Sequence, residues 1–173
     1  GIGVKRQFYR NFANYLASNG YAVLAFDLRG TGGSRPKSLR GYRAYLRDWG
    51  QKDMPAALDW LTQRFPATPV FVIGHSMGGQ LTGLMHNHAK LNGLVLIFAA
   101  TGHFRTFPLP FMLVAISVLY VFFPLTLPVF GFAPARFVST GQDLPSGVAW
   151  EWIKWTLHPG YLARFMRNHA AGF

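Results

Sequence analysis

Residues 69–79, with the sequence PVFVIGHSMGG, constrain the fold of this chain more than any other stretch. The apolar start predicts a buried β-strand, and the residues after the second glycine predict a helix. A G-x-S-x-G segment between a strand and a helix is typical of a nucleophile elbow, a sharp turn that holds a serine hydroxyl above the end of a sheet. We therefore predict that Ser76 is a nucleophile.

The glycines of this turn and the helix behind it carry further predictions. Side chains at Gly74 and Gly78 are expected to collide with neighbouring backbone. The first N–H groups of a helix lack intrahelical partners, so the Met77 N–H is an expected donor to an oxyanion formed by attack on an acyl carbonyl. The alternative is a chance glycine–serine turn, since the chain contains 19 glycines.

Composition bounds the class of protein. The chain has 173 residues, of which 50% are hydrophobic, so it can form one domain with a sizeable core. It has no cysteine, which removes disulfides and thiolate chemistry and suits a reducing compartment. A cytoplasmic location is the expectation, although a chain that starts at Gly1 rather than Met leaves targeting open.

The net charge of +11 raises the question of an anionic partner. The lysines and arginines are scattered, from Lys5 to Arg167, and form no dense stripe on one predicted helix. No nucleic-acid-binding motif occurs either. We therefore expect no nucleic-acid partner and interpret the basic residues as a solvated face.

Helix and strand patterns alternate on both sides of the serine turn. Phe8, Phe12, Tyr15 and Leu16 form one face of a predicted helix, and residues 21–26 and 93–100 are continuous apolar runs of strand length. This alternation predicts an α/β fold with a parallel sheet flanked by helices.

A glycine-rich loop, residues 27–34, follows the first of these runs. Its functional interpretation is a rim of the active site. Its structural interpretation, which we favour, is a turn in which the Asp27 and Arg29 side chains bind backbone groups.

Other histidines give weaker signals. His86 and His88 are two residues apart on a predicted helix and point to opposite sides, which is a poor arrangement for a metal. We expect no metal and no cofactor. His103 follows the third apolar strand, at the edge where parallel sheets bind ligands, and is a candidate substrate contact; the alternative is a loop histidine bonded to backbone.

The character of the sequence changes after residue 106. Residues 107–135 carry no charge and are interrupted by five prolines. The apolar run of residues 111–123 is shorter than the ~20 residues that span a bilayer. We predict one or two short helices of a cap with an apolar face toward the site, and loose membrane contact is the alternative. The predicted division is residues 1–102, a partial core, and residues 103–173, a cap that continues in helical pieces.

The order of helix, strand, D-x-R-G-x-G-x-S loop, helix, strand, G-H-S-M-G-G turn and helix resembles the α/β-hydrolase superfamily. Segments such as GYAVL at residues 20–24 and RDWG at residues 47–50 make the chain similar to a bacterial family of predicted, largely uncharacterised α/β-hydrolases. The resemblance covers most of the chain. It implies a partial α/β-hydrolase fold, a Ser76 nucleophile, and oxyanion donors at the Met77 and Val4 N–H groups.

The same resemblance implies a triad order of serine, acid and histidine. Asp143, Glu151, His158 and His169 follow Ser76 but fall in cap-like helices, so we assign none of them and expect the catalytic acid and histidine outside this chain. The strand that would precede Gly1 would lie between residues 21–26 and residues 70–73 in the sheet of this superfamily. We therefore expect an internal fragment of a larger hydrolase, itself inactive.

The sequence favours a serine hydrolase that acts on a small-molecule ester or related acyl bond through an acyl-enzyme. Acyl transfer to another alcohol uses the same groups and stays open. A non-catalytic binding protein on the same fold is the second class, because fold does not fix function. A membrane-surface protein that uses residues 107–132 is the third.

Overall fold

A computed structural model describes residues 1–163, which form helices and two small two-stranded sheets. The helices are α1 (Arg10–Ser18), α2 (Leu46–Asp48), α3 (Met54–Arg64), α4 (Met77–Gln80), α5 (Leu109–Ile116), α6 (Phe123–Phe130) and α7 (Ser146–Leu157). The strands are β1 (Phe71–His75), β2 (Gly93–Ile97), β3 (Phe132–Ala133) and β4 (Leu144–Pro145). Predicted helical pieces after residue 163, with Arg167 and His169, lie outside the described residues.

β1 and β2 form a parallel pair in which Phe71 lies opposite Gly93 and His75 lies opposite Ile97. Two of the predicted strands are therefore confirmed, although β2 is shorter than the apolar run that predicts it. Because the strands are parallel and in step, their carboxyl ends meet at one edge. The turn at Ser76 and the loop that leads to His103 both start from that edge.

The strand predicted at residues 21–26 is wrong in this structure. The segment has no regular secondary structure, and Tyr21, Val23 and Phe26 are exposed. A strand is defined by the backbone hydrogen bonds of its neighbours, and the parallel sheet of the described residues contains only β1 and β2. An apolar run indicates that a segment can lie in a sheet, but it does not show that a neighbouring strand is present to pair with it.

The predicted first helix is confirmed as α1, preceded by a 3₁₀ turn at Arg6–Tyr9. It ends before Asn19 and Gly20, and Gly20 has φ +88°. However, Phe8, Phe12 and Tyr15 of its apolar face are exposed. The periodicity therefore predicted the helix correctly, and no described element covers the face.

α2 and α3 are joined by a π-helical segment, Trp49–Asp53, and together form one continuous helix over residues 46–64, which we call the rod. Trp49 is fully buried, and its indole N–H donates to the Arg29 carbonyl over 3.0 Å. A side chain at Gly50 would place its Cβ 2.8 Å from the Leu81 carbonyl oxygen. This rod therefore lies in close backbone contact with the segment that follows the serine turn.

The prediction of one or two short cap helices is wrong, because the structure has one continuous helix there. α5, a π-helical segment at Ser117–Phe122, and α6 form one helix, Leu109–Phe130, which we call the apolar helix. Pro110 lies in its first turn, where no N–H is required, and Pro124 lies just after the π-helical segment. Prolines at these positions do not end a helix. Gly131 ends it in the left-handed conformation, with φ +74°.

The hydrophobic core lies between the rod, the segment after the serine turn, the second half of the apolar helix, and α7. The sheet faces contribute little to it, since Phe71, Val95 and Leu96 are each more than half exposed. The largest fully buried apolar side chains are Trp49, Trp155, Phe123, Leu39, Leu46, Leu81, Met85, Leu144 and Val148. A small parallel sheet flanked by helices is compatible with a partial α/β fold.

Candidate active site

Ser76 occupies the turn between β1 and α4 in a backbone conformation that L-residues rarely adopt. Its φ is +51° and its ψ is −125°. Its N–H donates to the Ile97 carbonyl over 2.8 Å, and its carbonyl accepts from the N–H groups of Gly79 and Gln80 over 3.0 and 3.2 Å. The residue is partly exposed. Backbone strain of about 1–3 kcal/mol persists only where surrounding bonds hold it, as they do here.

The glycines around the serine differ in how tightly they are packed. A Cβ at Gly74 would lie 2.4 Å from the Gly79 Cα, and a Cβ at Gly79 would lie 2.6 Å from the Ala99 Cβ. The prediction for Gly74 is therefore confirmed. The prediction for Gly78 is wrong, because a Cβ there meets no atom within 4 Å. Gly79, not Gly78, packs against β1.

Residues 1–4 form a turn beside the end of β1. The Val4 N–H donates to the Gly1 carbonyl over 3.3 Å, which engages the donor that the sequence assigned to an oxyanion. A Cβ at Gly1 would lie 3.2 Å from the His75 Nδ1, and the Tyr9 hydroxyl lies 2.9 Å from the same nitrogen. Burial lowers the pKa of His75. A neutral imidazole can accept the Tyr9 hydrogen bond.

The glycine-rich loop is organised by Asp27. Its carboxylate accepts from the backbone N–H groups of Arg6 and Gly33 over 2.7 and 2.9 Å, which confirms the backbone role expected of this side chain. Gly32 has φ +48°, and a Cβ there would strike the Asp27 carboxylate. The same expectation for Arg29 is wrong, since its guanidinium pairs with the Asp53 carboxylate.

Gln142 connects this loop to the turn of residues 1–4. Its Oε1 accepts from the Gly32 N–H over 2.6 Å, and its own N–H donates to the Gly3 carbonyl over 2.8 Å. The contact with Gly32 joins residues 110 positions apart in sequence. No local pattern marks such a residue, which is why the sequence did not reveal it.

Tyr161, from the predicted cap, contacts the helix that follows Ser76. Its hydroxyl donates to the Gln80 Oε1 over 2.8 Å and lies 4.0 Å from the Met77 Sδ. A Cβ at Gly102 would lie 2.7 Å from its ring. Burial raises the pKa of the phenol, so it stays protonated and donates. Tyr161 therefore fastens the cap to both loops at the carboxyl edge of the sheet.

The other sequence candidates have different partners. The His103 ring packs at a tilt against Phe104, with centroids 5.0 Å apart, and its predicted contact with a substrate stays a prediction. The Nδ1 of His158 accepts from the Gly160 N–H over 3.1 Å.

All six carboxylate side chains of the chain are paired with lysine or arginine. Asp143 is buried and lies 3.3 Å from the Arg35 guanidinium and 2.7 Å from that of Arg136. Glu151 accepts from the Arg47 backbone N–H over 3.0 Å. The two acids that follow Ser76 both form ion pairs with arginines, and the expectation that neither belongs to the triad stays a prediction.

Comparison with known families shows to which family the chain belongs. A family model described as serine aminopeptidase, S33, matches residues 1–147. The chain belongs to this family. It is thereby a member of the α/β-hydrolase superfamily, as the motifs indicated. No curated protein and no solved structure matches the chain.

Membership in the S33 family indicates hydrolase chemistry of the α/β-hydrolase type. The match runs through the serine turn, the glycine-rich loop and the whole apolar helix.

Proposed function

We propose that this protein is a serine hydrolase that cleaves an uncharged acyl ester through an acyl-enzyme at Ser76. The observation that carries the proposal is the strained, partly exposed Ser76 between β1 and α4, held by the bond to the Ile97 carbonyl. A serine on a strained strand-to-helix turn is the arrangement by which hydrolases of this superfamily expose a nucleophile.

The reaction follows from this geometry. The Ser76 Oγ attacks the carbonyl carbon while its proton passes to a base, and the carbonyl oxygen becomes an oxyanion. The Met77 N–H, at the start of α4, is the proposed donor to that oxyanion. The alkoxide leaves with the proton, and water then attacks the acyl-enzyme and releases the acid. None of the described residues is assigned as the base.

The charge pattern supports an ester over an aminopeptidase substrate. The family description names an aminopeptidase, and such an enzyme must bind a free α-ammonium group. Carboxylates are the usual partners of an ammonium group. All six carboxylates of this chain already have cationic partners. Within this chain, therefore, no unpaired carboxylate side chain is available for a free amine, which favours a substrate without one.

A fluorophosphonate probe tests the nucleophile directly. In the full-length protein, we expect covalent labelling at Ser76, identified by peptide mass spectrometry, and its loss in Ser76→Ala. Ser117→Ala is the matched control, because this exposed hydroxyl only donates to the Leu113 carbonyl one turn earlier in its helix. Equal labelling of Ser76→Ala and the parent chain would refute the assignment.

A pair of chromogenic substrates tests the substrate class. With the full-length protein, we expect release of p-nitrophenol from a short acyl ester and none of p-nitroaniline from an aminoacyl anilide, both scored against Ser76→Ala. Preference for the anilide would overturn the ester assignment. Labelling and turnover both absent would favour a non-catalytic binding protein on this fold.

A further inference from the structure

The apolar helix is exposed to a degree that its composition does not predict for a soluble domain. It runs over 22 residues, and its most apolar 18-residue window has a mean hydropathy of 2.3 with only 17% of the window buried. At 1.5 Å per residue it is about 33 Å long. A core helix of this composition would be buried, and an N-terminal leader would not lie in the second half of the chain. Neither explanation applies.

The helix has one packed stripe and one uncovered surface. Leu119, Phe123 and Leu127 are buried against the body of the protein, and the Tyr120 hydroxyl donates to the Thr156 Oγ1 of α7 over 2.9 Å. The exposed apolar side chains, between 53% and 69% accessible, are Leu109, Phe111, Leu113, Val114, Val121, Leu125 and Val129. A helix on a protein surface normally shows water a polar face. An exposed apolar surface of this kind marks a partner.

Basic side chains flank this surface at both ends. Arg105 is exposed four residues before Leu109, and Arg40 donates to the Val129 carbonyl over 2.6 Å at the other end. Between Arg105 and Arg136, residues 107–135 carry no charge. The six carboxylates are all paired and balance six of the 17 lysines and arginines, so the net charge of +11 has no carboxylate side chain to neutralise it. An apolar surface between cations matches acyl chains beneath anionic headgroups.

The packing also determines how the helix meets a bilayer. Its second half is fixed to the body along Leu119, Phe123 and Leu127, so the helix cannot separate to cross a membrane alone. Its first half, α5, has no buried residue at all. We propose that the exposed face of the apolar helix inserts, parallel to the membrane plane, into the surface of a bilayer that contains anionic phospholipid.

Vesicle flotation with the purified chain tests this proposal. The vesicles are phosphatidylcholine alone or phosphatidylcholine with phosphatidylglycerol, each at low and high salt. We expect flotation with the anionic vesicles, reduced at least about fivefold on neutral vesicles or in high salt, because charge attraction is screened. No flotation, or equal flotation on both vesicles in both salts, would overturn it.

The variant Leu113→Glu/Leu125→Glu locates the contact. Both side chains are exposed, so the fold should persist, which circular dichroism checks. We expect at least a tenfold loss of vesicle partitioning. The control Phe8→Glu/Tyr15→Glu makes the same charge change on exposed apolar side chains of the N-terminal helical region and should keep binding within twofold. Equal losses in both variants would overturn the assignment to the apolar helix.

Size-exclusion chromatography with light scattering distinguishes a second copy of the chain from a bilayer. A dimer that Leu113→Glu/Leu125→Glu dissociates, in a protein that does not float with vesicles, would overturn the proposal in favour of self-association. A monomer that floats would support it. Neither outcome depends on Ser76, so the membrane contact and the hydrolase assignment can fail separately.

Discussion

The strand before the serine turn, β1, and the segment of residues 21–26 are both predicted as apolar strands. Only β1 forms a strand in the structure. β1 pairs with β2 along its whole length and continues into a turn in which Gly74 and Gly79 are packed within 3 Å of their neighbours. Residues 21–26 have no strand beside them and remain largely exposed. The difference teaches that composition selects the residues that can enter a sheet, while paired backbone and close contact decide which of them do.

The same contrast separates a packed side of the molecule from an uncovered side. On the packed side, Trp49 and Trp155 are fully buried, and the Trp49 indole has a specific backbone partner. On the uncovered side, α1 and the sheet faces present large apolar side chains to solvent. Stability should therefore depend almost wholly on the packed side, and the following substitutions test this.

The largest expected effect compares two tryptophans. Trp49→Ala removes a fully buried side chain and its bond to the Arg29 carbonyl, and it should lower the free energy of unfolding by about 3–5 kcal/mol. Trp60→Ala, at a side chain that is 55% exposed, should cost less than about 1 kcal/mol. Urea denaturation followed by circular dichroism measures both. Similar losses would erase the contrast between the two sides.

Glycine-to-alanine substitutions in the serine turn sharpen the comparison at single-atom scale. Gly74→Ala forces a Cβ to 2.4 Å from the Gly79 Cα and should cost about 2–3 kcal/mol. Gly78→Ala adds the same methyl group to open space in α4 and should change stability by no more than ~0.5 kcal/mol, or raise it. Thermal unfolding of the two variants provides the test. A Gly74→Ala variant as stable as the parent chain would show that the turn is loosely packed.

A smaller effect is expected where the cap meets the serine turn. Tyr161→Phe removes a buried hydroxyl that donates to Gln80, and it should cost about 1 kcal/mol. Tyr15→Phe, on the exposed face of α1, is the control and should be silent. Protease sensitivity of the cap, compared between the variants, reports local release; unchanged protection in Tyr161→Phe would mean that the contact holds nothing in place.

The smallest expected effect is a difference in pH dependence between a buried and an exposed carboxylate. Burial raises the pKa of Glu151, only partly offset by the Arg47 backbone N–H, so the folded state binds its proton more tightly than the unfolded state. The stability from this group is present at low pH and is lost as pH rises through the folded pKa. Relative to Glu151→Gln, the parent chain should therefore lose stability as pH rises from the ordinary glutamate pKa through the raised pKa of the folded state.

Asp59 supplies the opposite sign as a control. Hydrogen bonds from Lys90 and Asn87 lower the pKa of this exposed carboxyl, so its contribution is present above its ordinary pKa and lost as pH falls. Relative to Asp59→Asn, the parent chain should gain stability as pH rises through the acidic range. Melting temperatures in a pH series test both slopes, and slopes of equal sign would contradict the burial assigned to Glu151.

Much of the serine turn could be predicted from sequence because its determinants are local. The strand, the glycine at position 74 and the helix lie within about ten residues, and steric rules act at that range. The contacts of Gln142 with Gly3 and Gly32 could not be predicted, because they join distant regions of the chain without a pattern. The role of Gly79 was missed because the G-x-S-x-G motif ends at Gly78, and only the packing shows that the next glycine lies against β1.

The continuity of the apolar helix was missed for a different reason. Prolines were interpreted as helix ends, whereas Pro110 occupies a first turn and Pro124 follows a π-helical segment. Whether a proline ends a helix depends on which carbonyl would have lost its bond, and that depends on the register of the helix. The presence of a proline in the sequence does not show its position within the turns of a helix.

The conformation of Ser76 depends on a neighbouring strand. Its N–H is bonded to Ile97, the last residue of β2, so the strained backbone of the turn depends in part on one hydrogen bond at the end of the sheet. If that hydrogen bond breaks, the Ser76 backbone can relax to an ordinary conformation, which would withdraw the hydroxyl while the rest of the protein stays folded. On warming, the presentation of Ser76 should therefore decay at lower temperatures than the global melt.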